Sequence, residues 1–397
     1  MSGRMRCAFL STYPPTRCGI GRYASFLVNA LLKNSPSLEI FILTDYEVNY
    51  NTTSGITTIP CFKAAQFVVD EVVNRLNDLK PDILHIQHHY GIFGFEDDFL
   101  NLLSRYATVV TMHEVHTEEF PEKIALSYDI GNLQRNHGIL GKLAKRIIVH
   151  SGTIKQSLID LGVSAEKIVV IPHGTLFIPK VKREVALSTF GLPQDARVLL
   201  SFGFVRRDKN ERILLEVFTE ILKEVPNAYL VMAGSVHPLT EEQDRMVAKE
   251  RRELSRKLSI KNVRFIEEFI PDDRLPYLFS MADLFVSLYD QRYREISGAL
   301  HAGIGAGLPC VVFRVPRYEE IERISPETVV EVGNKQDLVR VIIRLLRNEE
   351  LKRQVARSVR TYGEETSWDK ISILHHQVYR EIIKGKEIAK QTSPNSG

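Results

Sequence analysis

The chain has 397 residues, of which 52 are basic and 49 acidic for a net charge of +3, with 44% hydrophobic and 25% charged residues. This is the composition of a globular protein large enough for two domains, and it excludes both a disordered chain and one drawn to nucleic acid by its global charge. Cys7, Cys18, Cys61 and Cys310 are too widely spaced for a zinc or disulfide framework, and no window approaches 18 consecutive apolar residues, so a membrane span is excluded.

In chain order, short β-branched runs alternate with helical periodicity, the pattern of parallel α/β domains. Strands are expected at 6–10, 39–44, 83–87, 108–112, 146–149 and 167–171. Between the first two, Tyr23, Phe26, Leu27, Ala30 and Leu31 recur on one face of a helix over about residues 21–33. Pro172-His173-Gly174, Pro179 and Gly191-Leu192-Pro193 mark a linker. The alternation then restarts with strands at 197–202, 229–232, 263–266, 284–288, 310–313 and 328–332. Trp368, Ile371, Ile373, Leu374, Val378 and Ile382 give a terminal helix one apolar stripe, and the polar tail from Lys384 is expected to fray. With no secretory leader pattern at its start, the protein is expected in the cytoplasm.

In open α/β sheets, ligands gather beyond the carboxyl ends of strands, and the distinctive residues of this chain cluster there. After the first strand comes Tyr13-Pro14-Pro15, then Gly19-Ile20-Gly21, whose G-x-G-x-x-A spacing with Asp45 at the next strand end invites a dinucleotide reading. The residues between Ser11 and Gly19 include two prolines and make a loop too long for the tight turn of that fingerprint, so a nicotinamide cofactor is disfavoured. The strand at 197–202 runs into Gly203-Phe204-Val205-Arg206-Arg207-Asp208-Lys209. The strand at 284–288 leads through Asp290 and Arg292 to Glu295, and Ser297-Gly298 then opens a glycine-rich helix. The backbone N–H groups of Ser297, Gly298, Ala299 and Leu300 at such a helix start form an anion site, with Arg206 and Lys209 supplying cations to the same diphosphate. Close packing of the helix is the alternative account of its glycines, but the serine cap and the neighbouring charges favour phosphate.

His113-Glu114-Val115-His116 suggests zinc, but zincins need histidines at i and i+4 on one helix, whereas these stand three apart at a strand end. No metal site is expected, and neutral structural roles suit His85, His88 and His89.

Taken together, S-x-Y-P-P-x-x-x-G-I-G, Q-H-x-Y-G-I-F-G, I-P-H-G, F-G-x-x-x-x-x-K, A-D-L-F-V-S-L and S-G-A-L-x-A-x-x-G-A-G-x-P resemble the retaining glycosyltransferases of the GT-B fold, family four, along nearly the whole chain. The S-G-A-L form resembles a subgroup lacking the family's usual glutamate pair. The resemblance implies an α/β protein with two Rossmann-like domains facing a cleft. It places an acceptor-side domain at 1–175, a nucleotide-sugar domain at 176–365, a helix at 366–384 that crosses back to the first domain, and a frayed tail at 385–397.

By the same resemblance, Gly19 and Gly21 belong to a loop near the donor phosphates, His113 approaches the transferred sugar and Lys209 binds diphosphate. The usual arginine after the strand glycine is Phe204, with Arg206 as substitute. The base falls to Phe269 and Ile270, and the acceptor side to Tyr13, His88 and Tyr90. Arg294 and Ala302 stand where the two glutamates are expected, and His89 stands where a glutamate would follow Gln87-His88. Glu295, one residue displaced, serves either the donor or the dipole of the following helix.

The function implied is metal-independent transfer of a hexose, mannose or glucose, from a nucleoside diphosphate sugar to a carbohydrate or other hydroxyl acceptor, with retention. GDP-mannose is favoured over UDP-glucose. No cofactor, nucleic acid or transmembrane segment is implied, while peripheral membrane contact remains compatible. An idle nucleotide-sugar binder and an epimerase of the same fold are the alternatives.

Overall fold

In the computed structural model, the described residues are 4–53, 55–63, 67–94, 97–117, 133–236, 241–290 and 294–392. Arg292 and residues 393–397 of the tail lie outside them.

The first half runs β1 (Met5–Leu10), α1 (Gly19–Asn34), β2 (Leu38–Asp45), β3 (Asn51–Thr53), β4 (Ile56–Phe62), α2 (Val69–Leu79), β5 (Ile83–His88), α3 (Asp97–Arg105), β6 (Thr108–Met112), β7 (Glu114–Val115), α4 (Leu133–Leu143), β8 (Arg146–Val149), α5 (Gly152–Asp160) and β9 (Ile168–Val170). The second half continues with α6 (Arg183–Thr189), β10 (Arg197–Phe202), α7 (Glu211–Glu224), β11 (Ala228–Ala233), α8 (Glu241–Lys257), β12 (Val263–Ile266), α9 (Leu275–Ser280) and β13 (Leu284–Ser287). Then come β14 (Arg294–Glu295), α10 (Gly298–Gly305), β15 (Cys310–Phe313), α11 (Glu319–Ile324), β16 (Val329–Val330), α12 (Lys335–Arg347), α13 (Glu349–Glu365) and α14 (Trp368–Thr392).

The described residues form two compact units. The first takes the chain up to Gly174, residues 294–296 and the chain from Trp368; the second takes Thr175 to residue 290 and Ser297–Ser367.

In the first unit the sheet order is β3-β4-β2-β1-β5-β6-β8-β9, parallel except for the β3–β4 hairpin. Cys7, Ala8, Phe9 and Leu10 of β1 are all fully buried, as a parallel strand covered on both faces requires. The stripe Tyr23, Leu27, Val28 and Leu31 seats α1 on one face, in a core shared with Trp368, Ile371, Val378 and Tyr379 of α14. Polar clasps fix the pairing of these helices: Lys33 Nζ to Asp369 Oδ2 at 2.6 Å, Asn34 Nδ2 to Ser372 Oγ at 2.9 Å and Ser35 Oγ to His376 Nδ1 at 2.8 Å.

Two departures from the sequence reading have local causes. The β3–β4 hairpin escapes it because Pro60 interrupts the β4 run; the proline sits opposite Thr44, where the register with β2 shifts. At the other end, α14 extends to Thr392, through part of the stretch expected to fray, which the helix formers Lys386, Glu387, Ala389, Lys390 and Gln391 favour.

In the second unit the order is β12-β11-β10-β13-β15-β16, all parallel. Leu214, Leu215, Phe218 and Ile221 of α7 pack into the same core as Val198, Leu199 and Leu200 of β10. From β10 the chain goes outward through β11 to β12, then returns to β13 on the other side. The carboxyl ends of β10 and β13 therefore flank a topological switch point, the place where open α/β sheets bind ligands. In the first unit the corresponding pair is β1 and β5.

Candidate active site

In the second unit, β10 ends at Phe202 and Gly203 turns the chain with φ +114°, a conformation that L side chains rarely adopt. A Cβ on Gly203 would lie 3.3 Å from the Ala299 Cβ and 3.9 Å from Lys209 Nζ. The strand end, the lysine and the first turn of α10 therefore meet at one point. Ser297 caps α10 by accepting from the Leu300 N–H at 3.2 Å, and the remaining first-turn N–H groups have no intrahelical acceptor. Deeper in the helix the glycines serve packing: a Cβ on Gly303 would come within 2.8 Å of the Phe285 ring, and one on Gly305 within 2.0 Å of the Leu176 carbonyl.

Lys209 is 3% exposed, and its ammonium donates to the carbonyls of Phe202 at 3.3 Å and Gly203 at 3.4 Å. Glu211 Oε1 stands 3.4 Å from Lys209 Nζ, and Arg251 Nη1 donates to Glu211 Oε2 at 2.5 Å. Arg251 also reaches Glu267 Oε1 at 3.1 Å. Burial pulls the Lys209 ammonium below its ordinary value while Glu211 pushes it back up. Burial raises the Glu211 carboxyl, but Lys209 and Arg251 together hold it below the usual carboxylate range. A fixed positive charge under the first turn of a helix is the arrangement that receives a phosphate.

Arg206 is placed differently. Its guanidinium makes a two-pronged contact with Asp208, Nε to Oδ1 at 3.1 Å and Nη2 to Oδ2 at 3.0 Å, and lines a pocket with Gln243, Asp244 and Val247. Of the expected base contacts, Phe269 is 38% exposed, whereas Ile270 belongs to the core of the unit.

In the first unit, His113 follows β6 and its backbone N–H donates to the His88 carbonyl at 3.1 Å. Its Nε2 lies 2.9 Å from Gln87 Oε1, its Nδ1 lies 3.4 Å from His150 Nε2, and the Tyr23 ring packs edge-on at 4.6 Å. Behind it, His85 Nε2 contacts Gln87 Nε2 at 3.1 Å and Thr111 Oγ1 at 2.8 Å, while its Nδ1 meets Tyr379 Oη at 2.6 Å. Burial, followed by the neighbouring histidines, drives both His85 and His113 well below the ordinary imidazole value.

Neutral rings set the proton order. His150 Nδ1 must donate to the Ile171 carbonyl at 2.9 Å, so its Nε2 accepts from His113 Nδ1–H, and His113 Nε2 then needs a donor. Turning the Gln87 carboxamide through 180° supplies one, and protons then run in one direction from Tyr379 through His85, Gln87 and His113 to His150 with the His85 and His113 imidazoles neutral.

Residues 183–362 match the family model described as "Glycosyl transferases group 1", and residues 19–175 match "Glycosyltransferase Family 4". Each half of the chain thus matches a glycosyltransferase family model, and together the two matches span most of its length. A curated relative, the alpha-monoglucosyldiacylglycerol synthase of Streptococcus pneumoniae, is 26% identical over 70% of this chain and 64% of its own length. The match thus spans just under two thirds of that protein. Among solved structures, the sucrose-phosphate synthase of Thermosynechococcus elongatus superposes with a TM-score of 0.78 at 16% identity, over 96% of this chain and all of that one. Anabaena HepE in complex with UDP and glucose superposes at 0.75 and 15% identity, over 95% of this chain and all of its own. These likenesses show the GT-B fold, whose two Rossmann-like domains are the two units above. Among the described residues, no helix is long and apolar enough to cross a membrane.

Several of the expected site residues turn out to have structural work. Gly21 is buried at the start of α1, where a Cβ would stand 3.0 Å from the Thr12 carbonyl, so a close approach of backbone to backbone favours glycine there; Gly19 has open space beside it. His88 is fully buried and Tyr90 is 5% exposed, its hydroxyl 2.8 Å from His137 Nε2 and its ring stacked 4.0 Å from that of His116. Their place at the carboxyl end of β5 is interior, and only Tyr13 of the acceptor set is partly exposed. Glu295 lies in β14, directly opposite Glu114 of β7.

Residues missed in the sequence are Gln87, Glu114 and Glu211. Glu114 carried a signal: with His89 in place of a glutamate, a carboxylate was owed nearby, and Glu114 Oε1 lies 3.3 Å from His89 Nε2.

Proposed function

We propose that this protein is a glycosyltransferase that moves a hexose from a nucleoside diphosphate sugar to a hydroxyl acceptor with retention of anomeric configuration. The observation that carries the reading is the convergence of Lys209, Gly203 and the first turn of α10 at the switch point of the second unit. Breaking the bond between C1 and the phosphate oxygen leaves positive charge on the sugar ring and negative charge on the departing diphosphate. Preorganised donors aimed at that diphosphate lower the barrier because their orientation is set before reaction. Lys209 and the N–H groups of Gly298 and Ala299 fill this role; Arg206 joins them on release from Asp208.

In a front-face route, the acceptor oxygen bonds to C1 on the side that the phosphate leaves, and a phosphate oxygen takes the acceptor proton. The proton and the electron pair of the broken bond both end on the diphosphate, so the chemistry requires neither a metal step nor a protein nucleophile. His113 is assigned to the sugar by the family resemblance. Both its ring nitrogens are engaged, and the long 3.4 Å contact to His150 is the one to exchange for a sugar hydroxyl.

The glucosyl transfer named for the pneumococcal relative, and the UDP and glucose bound to HepE, favour a UDP-glucose donor over GDP-mannose. A thermal-shift panel of UDP, GDP and their glucose and mannose conjugates tests this. Stabilisation by UDP compounds supports the reading, and stabilisation by none of the panel defeats the donor assignment.

A further inference from the structure

The ladder of β7 and β14 is two residues long, and its Glu295–Glu114 pairing sets two carboxylates directly opposite one another. Like charges placed directly opposite one another disfavour an antiparallel pair. His89 Nε2 lies 3.3 Å from Glu114 Oε1, and one ligand atom from each of His89, Glu114 and Glu295 lies within 4.8 Å of the other two. The second oxygen of Glu114 faces His116 Nε2 at 3.4 Å. His116 is 7% exposed, and among the described residues neither of its ring nitrogens makes a hydrogen bond.

We propose that His89, Glu114 and Glu295 form a divalent-cation site, that zinc is the ion it takes, and that His116 backs the Glu114 carboxylate. Zinc bonds to imidazole nitrogen and carboxylate oxygen at about 2.0–2.2 Å, so neighbouring ligand atoms around a tetrahedral ion stand about 3.4 Å apart. His89 Nε2 and Glu114 Oε1 already have that separation. Glu295 completes the set by closing from within 4.8 Å to about 3.4 Å, a side-chain adjustment for a partly exposed glutamate. The mixed nitrogen and oxygen donors suit zinc better than magnesium or calcium, which prefer all-oxygen sites. A fourth position remains for water. The ion replaces carboxylate repulsion with a shared ligand and pins β14 to β7. No step of glycosyl transfer runs through it, so this site stands or falls independently of the donor assignment.

The test uses the full chain, stripped with a chelator and titrated with zinc chloride against a chromogenic competitor, with metal content read by mass spectrometry. One equivalent of zinc per chain is expected, together with a rise in Tm. Glu295→Gln and His89→Ala should each weaken zinc binding by at least about tenfold while keeping the circular dichroism of the parent. Absence of saturable one-to-one binding in the parent overturns the proposal on its own, even where a variant fails to fold. Unchanged zinc affinity in both folded variants, or binding of magnesium in preference to zinc, overturns it as well.

Discussion

Replacing Glu211 by Gln removes a carboxylate shared by two buried cations, with Lys209 Nζ at 3.4 Å and Arg251 Nη1 at 2.5 Å. The group is 4% exposed, so water cannot take over its part. Breaking a buried pair from one side costs about 3–5 kcal/mol of stability. Some of that cost is avoided if Lys209 gives up its proton. Burial already pulls this ammonium below 10.5, and Glu211 is the largest influence raising it; the Glu211→Gln variant would therefore carry a lysine that turns neutral at a lower pH.

A nucleoside diphosphate then loses a charge-assisted hydrogen bond of roughly 1.5–3 kcal/mol, about tenfold to a hundredfold in affinity, whereas the matching nucleoside loses little. The sign in pH follows: diphosphate affinity depends on protonated Lys209, is lost as pH rises through its pKa, and falls away earlier in Glu211→Gln. Calorimetric titration of nucleoside diphosphate and nucleoside into parent, Glu211→Gln and Lys209→Ala at several pH values reads the effect. Equal losses for the two ligands, or a pH-independent deficit in Glu211→Gln, would refute the reasoning.

Gly21→Val should lower Tm by its clash with the Thr12 carbonyl and lower activity only in proportion to the folded fraction; full Tm with lost turnover would return Gly21 to a direct role in the site. Acid should destabilise the protein through its buried neutral histidines. Burial pushes His88 down to about 3 and His375 to about 4, and holds His85 and His113 well below 6.5. The unfolded chain binds more protons below 6.5, so stability falls as pH drops from 6.5 toward 3. Chemical denaturation across that range checks it, and a flat profile contradicts it. His113→Ala should reduce turnover while leaving nucleoside diphosphate affinity within about twofold, since a change under about 0.4 kcal/mol is expected where no phosphate contact is lost; unchanged turnover would leave the histidine a structural role alone.

The parts of the fold legible in the sequence were those with a strong local pattern. Strands such as Cys7–Leu10 read clearly because burial on both faces demands an unbroken apolar run, and Ser297 read as a helix cap because the capping hydroxyl has only local work to do. The β7 and β14 strands were illegible because two residues carry no periodicity; they exist through a pairing across distant parts of the chain. Lys209 was visible from its place after a strand, but Glu211 was not: its meaning comes from Arg251, forty residues on, which lies on α8 and shares its charge. His88 and Tyr90 looked like ligand contacts because they end a strand, yet the side chains point into the interior, a matter of packing that no motif records.

The central claim is tested most directly by following the anomeric proton signal by NMR while the protein is incubated with UDP-glucose or GDP-mannose and a panel of hydroxyl acceptors. The account predicts release of nucleoside diphosphate with an α-linked product from an α-linked donor, abolished in Lys209→Ala. A β-linked product, or no consumption of either donor by protein that is folded, would contradict it.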